Sequence, residues 1–282
     1  MYRCWIENEY SEKLELTRNM NYTLYQIDGL EPPNATINTT RIAGIDGARL
    51  NSAYADPRNI VIYLAIEGEC EKNRINLYRY AKTRRYIKFY YQNEHRDVFI
   101  EGYVENIRIA FFEMKETVQI SIICPQPYFN AVQQVETEFA TVTGSFVFPF
   151  AYTADGAPFS VFDRSAMQPV FNNGDIENGA VIRIKAIGAA SNPQIFNVST
   201  NESFKLEISL DEGDEICINT NVMHKGITLT HDGETSNLIN SMVIGSKWFQ
   251  LLPGDNIFSV DAEEHPENLF CSIIHTDQFE GV

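Results

Sequence analysis

The chain has 282 residues and a formal net charge of −16, with 44% hydrophobic and 21% charged residues. This composition is typical of a globular protein and argues against a chain dominated by disorder. No stretch approaches the roughly 18 consecutive apolar residues of a membrane span, so no membrane partner is expected. The first residues lack the apolar core of a signal peptide, which predicts a protein made in a cytosol.

The charge is divided unevenly between the two halves of the chain. Residues 1–130 contain 16 Lys and Arg against 17 Asp and Glu, whereas residues 131–282 contain 6 against 21. Excess negative charge disfavours binding to nucleic acid or to an anionic membrane. A basic cluster with interleaved tyrosines crosses a predicted helix-to-strand boundary instead of lying along one face, so no nucleic-acid partner is expected. The cluster comprises Arg74, Arg79, Lys82, Arg84, Arg85 and Lys88.

The first half predicts a sheet with one helix, preceded by a long polar arm. Residues 31–59 have little apolar patterning, and a connector of this length is usually a functional arm or binding loop. Residues 60–66 predict a strand buried on both faces, and residues 69–81 predict the helix. Apolar alternation at Ile87, Phe89 and Tyr91, and again at Ile107 and Ile109, predicts two further strands.

The two halves meet at a proline-rich junction. Val118, Ile120 and Ile122 alternate with polar residues and predict a strand. The prolines that follow remove backbone donors and cannot continue a central strand, so the sheet is predicted to end there. This places one domain at residues 1–130 and a second at residues 131–282. The inter-domain connector is assigned to Cys124, Pro125, Pro127 and Tyr128.

The second half predicts a β-sandwich. Its clearest strand signal is Phe204, Leu206, Ile208 and Leu210 in alternation with polar residues. Several other short alternating segments are separated by turn sequences rich in Asp, Gly and Asn, and helical periodicity is almost absent. Short strands with regular turns are typical of two packed antiparallel sheets. The fold class is therefore predicted as mainly β.

The sequence carries no local signature of catalysis. The five cysteines never form a CxxC pair, the five histidines form no HExxH motif, and GxSxG, P-loop and GxGxxG motifs are absent. We therefore expect no catalytic residues, no metal and no cofactor. Trp248 and Phe249, with Tyr152 and Phe162, could stack on sugar rings, although such residues are more often core.

Several fragments together resemble one family, the distal tail proteins of long-tailed bacteriophages, also called the siphovirus tail component family. The similarity extends over nearly the whole chain, and the order of the fragments carries it. In the first half they are Gly44-Ile45-Asp46-Gly47, Pro57-Arg58-Asn59-Ile60, Asn73-Arg74-Ile75-Asn76-Leu77-Tyr78-Arg79, Gly102-Tyr103-Val104-Glu105-Asn106-Ile107 and Ile122-Ile123-Cys124-Pro125-Gln126-Pro127-Tyr128-Phe129. In the second half they are Asn172-Asn173-Gly174-Asp175, Asn192-Pro193-Gln194-Ile195, Gly213-Asp214-Glu215-Ile216-Cys217-Ile218-Asn219-Thr220 and Leu252-Pro253-Gly254-Asp255-Asn256.

The resemblance implies a tail-tube-like β-sandwich domain with one helix, which assembles as a hexameric ring, and a galectin-like β-sandwich domain. Such a ring joins the tail tube protein to tail fibre, baseplate or receptor-binding proteins in the virion, after assembly in the bacterial cytoplasm. The polar arm suits contacts between copies, because ring closure needs one surface to meet a different surface. The expected ring-interface residues are Arg41, Asp46, Arg49 and Arg58.

One alternative of a different class remains open. In it, the second sandwich recognises host cell-wall glycans, with Trp248 and Phe249 as the stacking pair.

Overall fold

The computed structural model describes residues 2–111, 116–139, 141–144, 160–163 and 167–282. These residues divide into two compact units: Met1–Gln133 with Gln278–Val282, called unit 1, and Gln134–Asp277, called unit 2. The strands are antiparallel throughout the described pairings, and the mainly β fold class is confirmed. Unit 1 includes residues 131–133 and 278–282, which the sequence analysis assigned to the second domain.

The elements follow in chain order. The first are β1 (Arg3–Asn8), β2 (Lys13–Glu15), β3 (Tyr22–Asp28), β4 (Ala35–Thr40), β5 (Arg49–Ala55), β6 (Arg58–Ile66), α1 (Cys70–Tyr80), β7 (Tyr86–Gln92), β8 (Asp97–Ile109), β9 (Thr117–Cys124) and β10 (Phe129–Ala131). They are followed by β11 (Val135–Glu138), β12 (Thr141–Gly144), β13 (Ser160–Asp163), β14 (Gln168–Asn172), β15 (Ala180–Ala186), β16 (Ala190–Asn197), β17 (Glu202–Lys205), β18 (Ser209–Leu210), β19 (Glu215–Asn219), β20 (Gly226–His231), β21 (Glu234–Asn237), β22 (Gly254–Glu264), β23 (Leu269–His275) and β24 (Gln278–Phe279). Two short 3-10 helices lie at Ile239–Ser241 and Pro266–Asn268.

Unit 1 is built on one sheet in the order β2-β1-β7-β8-β9-β6-β3. The long strand β8 serves two neighbours on one side, since its first half pairs with β10 and its second half with β9. Strands β1 and β3 stand far apart in this order, yet Cys4 and Leu24 line the same cavity of about 210 Å³. The sheet therefore curls around its apolar face.

The core of unit 1 lies on the inner face of this sheet and under α1. The predicted strands at residues 60–66 and 118–122 are confirmed as β6 and β9, although β6 is fully buried on one face only. The helix covers the core with the buried Leu77, and Ala81, directly after its last residue, is also fully buried. Cys70 and Tyr80 are half-buried against the same core, whereas Ile75 and Tyr78 are 59% and 38% exposed, so only one side of the helix is covered.

The polar arm folds into a β-hairpin of its own. Strands β4 and β5 pair only with each other, as a two-stranded sheet outside the main sheet of unit 1. The regular alternation that identified the other strands is absent here because the apolar residues Ile37 and Leu50 are isolated among small and polar ones and a bulge interrupts β5, so sequence periodicity did not reveal these strands. An isolated two-stranded hairpin is at best marginally stable in water. This arm therefore has the character of an element that packs against something else.

Unit 2 contains a six-stranded sheet in the order β11-β23-β15-β19-β20-β21 and a five-stranded sheet in the order β14-β22-β16-β17, with β18 on β16. One core of buried residues draws on both sheets, for example Ile182 and Ile218 from the first and Ile195 and Phe258 from the second. The predicted sandwich is confirmed. A separate pair, β12 with β13, completes the described strands.

The predicted strand at residues 204–210 is divided in the structure. Its first part belongs to β17 and its last part to β18, while Leu206 makes an isolated bridge with Met242. The turn His231-Asp232-Gly233 joins β20 to β21, with φ of 48° at Asp232 and 82° at Gly233. Two consecutive positive φ values are typical of the tightest hairpin turns. Across the described residues, no helix combines the length and apolar character needed to cross a bilayer.

Candidate interaction surfaces

The arm hairpin has two different faces because of a β-bulge. The pairing passes from Asn38 opposite Ser52 to Thr39 opposite Leu50, which leaves Asn51 as the extra residue. Asn38 donates to Ser52, and Asn51 donates to the Thr40 hydroxyl, so Asn51 joins the polar face. The bulge thereby turns Leu50 to the face of Ile37.

This second face is apolar and exposed. Ile37 is 64% exposed and Leu50 is 60% exposed. At the tip of the hairpin, Ile42 and Ile45 are likewise 50% and 66% exposed. An apolar surface held out in water by a marginal hairpin is typical of an interaction site.

Three of the four predicted ring-interface residues lie at this hairpin. Arg41, Asp46 and Arg49 are all exposed, at or beside the tip. None of them forms an ion pair with another residue in the described part of the chain. Their charges are available for contacts with a second molecule.

Arg58 differs from that prediction. It begins β6 and is only 4% exposed, so it does not belong to an accessible surface of the arm. Burial lowers the pKa of its guanidinium. Its nitrogens donate to the main-chain oxygens of Pro127 at 2.6 Å, of Gly29 and Glu31 at 2.7 Å each, and of Glu280. Arg58 thus ties the base of the arm to the connector and to the carboxyl-terminal segment.

The proline-rich connector is held in place within unit 1. Cys124 and Pro127 are buried, Tyr128 is half-buried and Pro125 is exposed. Burial raises the pKa of the Cys124 thiol to about 12, so this cysteine is inert at neutral pH. The prediction that the sheet ends here was wrong, because β10 adds to the sheet beside β8 and pairs with β24. The prolines bridge a gap between two strands that belong to the same sheet.

Four of the six residues of the basic cluster lie beside neighbouring carboxylates. Arg74 pairs with Glu71 at 2.5 Å, Arg85 approaches Glu9 at 3.7 Å, and Arg79 pairs with Glu12. Lys88 likewise pairs with Glu101 across β7 and β8 at 3.0 Å. Compensated charges do not form the positive surface that nucleic acid requires.

The acidic run at residues 211–215 forms a closed turn. The buried Asp214 carboxylate accepts a hydrogen bond from the Asp211 amide at 2.9 Å and lies 2.5 Å from Nδ1 of His231. The hydrogen bond and charge of Asp214 raise the pKa of His231. One ligand atom each from Asp211, Asp214 and His231 lies within 4.8 Å of the others. Both Asp214 oxygens thus have partners within the protein, one in the turn and one at the end of β20, and these contacts account for the close approach of the three side chains.

The proposed glycan-stacking pair does not form a platform. Phe249 is 2% exposed and belongs to the core of unit 2. Trp248 is half-buried and packs edge-on against Phe204 with ring centroids 5.3 Å apart. Tyr152 and the side chain of Phe162 lie outside the described residues. Trp248 and Phe249 therefore do not support the carbohydrate-binding alternative as a pair of exposed stacking rings.

Unit 1 also carries an open groove that the sequence analysis did not identify. It has a volume of about 520 Å³ and lies where β3, β6, β8 and β9 run side by side. Gln26, Tyr63, Gln119 and Arg108 form one row across these strands. A row of this kind depends on pairing register between distant segments, and nothing local in the sequence announces it.

Two kinds of comparison with known proteins bear on this fold. Residues 173–279, all within unit 2, match the model of the siphovirus-type tail component family, C-terminal domain. The predicted resemblance to siphovirus distal tail proteins is confirmed by this match. No curated protein matches the chain.

Among solved structures, the chain is similar to the SPP1 Dit protein (gp 19.1), with a TM-score of 0.70, 14% identity and coverage of 98% of this chain and 99% of that one. The SPP1 protein is described as a paradigm of the hub adsorption apparatus in phages that infect Gram-positive bacteria. The chain is also similar to a protein of the phage P2 baseplate in its activated conformation with Ca, with a TM-score of 0.51, 11% identity and coverage of 98% of both chains. The same baseplate with Sr gives a TM-score of 0.50 at 12% identity. At these identities the similarity is one of fold.

Proposed function

We propose that this protein is the distal tail hub of a siphovirus-type phage, assembled as a hexameric ring between the tail tube and the baseplate or receptor-binding proteins. In this role it works by binding and carries out no reaction. The support is a fold shared over 98% of the chain with a protein described as a hub of an adsorption apparatus. The observation that carries the ring itself is the arm hairpin.

The hairpin supports self-association because the described residues of its own chain leave its apolar face exposed. Ile37 and Leu50 together form an exposed face on an element that is marginal when alone. The surface that receives it must differ from the hairpin itself, which is the condition for a head-to-tail contact that closes into a ring. In a ring, the contact with a neighbouring copy would stabilise the hairpin, and the hairpin would in turn join the two copies.

The charge of each unit favours ring contacts through unit 1. Unit 1 contains 16 Lys and Arg against 18 Asp and Glu, a net charge of −2, so copies of it pack without strong repulsion. Unit 2 contains 6 against 20, a net charge of −14, and repels its own copies. We therefore assign ring formation to unit 1 and the docking of tail fibre, baseplate or receptor-binding proteins to unit 2.

The test is the mass and shape of the full-length protein in solution. Light scattering coupled to size exclusion is expected to give a species of about six times the 32.2 kDa of one chain, and negative-stain images a six-fold ring with a central hole. A monomer at all concentrations up to about 100 μM contradicts the proposal, because a stable ring interface binds at or below the micromolar range. Binding of cell-wall polysaccharide in calorimetry, with no ring, would favour the carbohydrate alternative.

A further inference from the structure

The groove of unit 1 has an apolar portion and a single charge. The rings of Tyr25 and Tyr63 and the half-buried Ile109 contribute the apolar surface, whereas Gln26, Thr117 and Gln119 contribute polar groups. Leu64 and Val118 also border the groove but are buried in the core. Arg108 is the one charged side chain among the residues that line it. Arg108 is exposed and forms no ion pair with any other residue that the structure describes.

The tip of the arm hairpin has the complementary composition. Residues 42–48 read Ile-Ala-Gly-Ile-Asp-Gly-Ala, in which Asp46 is the single charge. Ile42 and Ile45 are exposed beside it. Gly44 and Gly47 have φ of 80° and 94°, in the left-handed region that allows a tight turn at glycine. A Cβ at either position would meet no atom within 4 Å, so the described chain does not crowd the tip.

We propose that this groove is the receptor for the hairpin tip of a neighbouring copy. In the complex, the Asp46 carboxylate pairs with the Arg108 guanidinium of the next protomer, and Ile45 lies against Ile109 and the rings of Tyr25 and Tyr63. The proposal rests on the hub function above and adds to it the residues that join one copy to the next. A planar guanidinium at a single carboxylate gives both attraction and a fixed orientation.

The flanking charges favour the same occupant. Arg41 and Arg49 stand on either side of the tip, outside residues 42–48. Asp28 lies at the end of β3 beside the groove, where burial and its negative charge raise the pKa of Tyr63. A tip with a central carboxylate between two guanidinium groups therefore meets a groove with a guanidinium and a carboxylate close by. Such alternation selects this partner over a uniformly charged one.

A charge exchange between the two residues tests the contact in the full-length protein. Arg108→Glu and Asp46→Arg are each expected to raise the apparent dissociation constant of the oligomer about tenfold or more, because each places like charges together. The double variant restores the pair in reverse and is expected to return the constant to within about threefold of the original. Sedimentation velocity over a concentration series measures all three.

Controls separate this contact from folding and from net charge. Both side chains are exposed, so circular dichroism and the thermal transitions of the two single variants should match those of the unmodified protein. Lys247→Glu, an exposed reversal in unit 2, should leave the oligomer unchanged.

The possible results distinguish the two proposals. If the unmodified protein forms a ring and the single variants form it equally well, or if the double variant is no better than either single one, the groove contact is overturned while the hub function stands. If the unmodified protein is monomeric throughout, both proposals fall together. If Arg108→Glu keeps an intact ring but no longer binds a baseplate protein, a different protein occupies the groove and the proposed contact is overturned.

Discussion

Arg58 joins three segments that are far apart in the chain. Its guanidinium donates to main-chain oxygens of the segment before the arm, of the connector and of the carboxyl-terminal segment. The residue follows Pro57 at the start of a hydrophobic strand, and this local sequence gives no indication that the side chain turns inward. The sequence analysis assigned Arg58 to the interface because of its position next to the polar arm, and a sequence position does not show whether a side chain is buried.

Replacing Arg58 by Met should destabilise unit 1 by about 3 kcal/mol, because buried carbonyl groups lose charged donors and water cannot replace them. Arg58→Lys should recover little of this loss, since one ammonium cannot reach groups arranged around a planar fork. Urea unfolding monitored by tryptophan fluorescence measures both. The matched control, Arg41→Met on the exposed arm, should change the free energy of unfolding by less than about 0.5 kcal/mol. An Arg58→Met protein as stable as this control would contradict the assignment.

His231 should titrate above its usual value, which is about 6.5 in a free peptide. The hydrogen bond and charge of Asp214 stabilise the imidazolium form and raise the pKa in the folded state. This pair therefore contributes stability fully below the unfolded pKa, and the contribution is lost as the pH rises through the folded pKa. NMR titration of the His231 ring should show the raised pKa, and Asp214→Asn should return it toward 6.5. An unchanged pKa in this variant would remove Asp214 as the cause.

At the scale of elements, apolar alternation predicted the buried strands well. β7, β9 and β15 each place alternate side chains in a core, which is the physical origin of the period-two pattern. The arm strands β4 and β5 lack this pattern because no described part of the chain buries them. At residues 204–210 the alternation predicted one continuous strand, but the structure has two short strands there. The apolar alternation continues through the segment although the pairing with β16 is interrupted. Pairing is a property of distant segments and leaves no local signal.

The apolar face of the arm should matter for assembly and hardly for folding. Ile37→Ser combined with Leu50→Ser removes exposed apolar surface, so the thermal transitions should remain within about 2 °C, while the oligomer should dissociate at about tenfold or more higher concentration. Tyr54→Ser, 55% exposed on the polar face of the same hairpin, is the matched control and should weaken assembly less. Analytical ultracentrifugation compares the three. Equal effects on the two faces would argue against a one-sided contact.

The strand β8 has no space for a side chain at Gly102. A Cβ there would lie 2.7 Å from Ile122 Cγ2 and from the Ile123 carbonyl oxygen. Gly102→Ala should therefore cost about 1–3 kcal/mol of the stability of unit 1 through overpacking. Gly226→Ala, where a Cβ meets nothing within 4 Å, should be close to neutral. Chemical denaturation of both variants measures the difference, and a neutral Gly102→Ala would show that β8 and β9 can separate at little cost.

At the scale of the whole molecule, the division of charge was visible in the sequence and the path of the chain was not. The second unit carries almost all of the net negative charge, as composition alone indicates. The return of the last residues to unit 1 was missed because β24 is only two residues long. Phe279 is 6% exposed, the ring lies 3.7 Å from the Arg96 guanidinium, and the Val282 amide donates to the Leu30 oxygen.

Removing residues 278–282 should therefore weaken unit 1 and spare unit 2. The deletion takes away β24, a buried aromatic ring and one acceptor of Arg58, and burying a Phe side chain alone is worth about 1.5–3 kcal/mol. Differential scanning calorimetry should show the transition of unit 1 moving down by several degrees while the other transition stays in place. A matched shift of both transitions would contradict the division of the chain into these two units.

The pairing of β10 with β24 has one more consequence. Phe129 stands opposite Phe279 and Asn130 opposite Gln278, so the chain departs from and comes back to two adjacent antiparallel strands. Such neighbours are normally joined by a turn of a few residues. The whole of Gln134–Asp277 thus occupies the position in the chain of a single hairpin loop, so a different insert or a short turn at this position would leave the strand pairing of unit 1 unchanged.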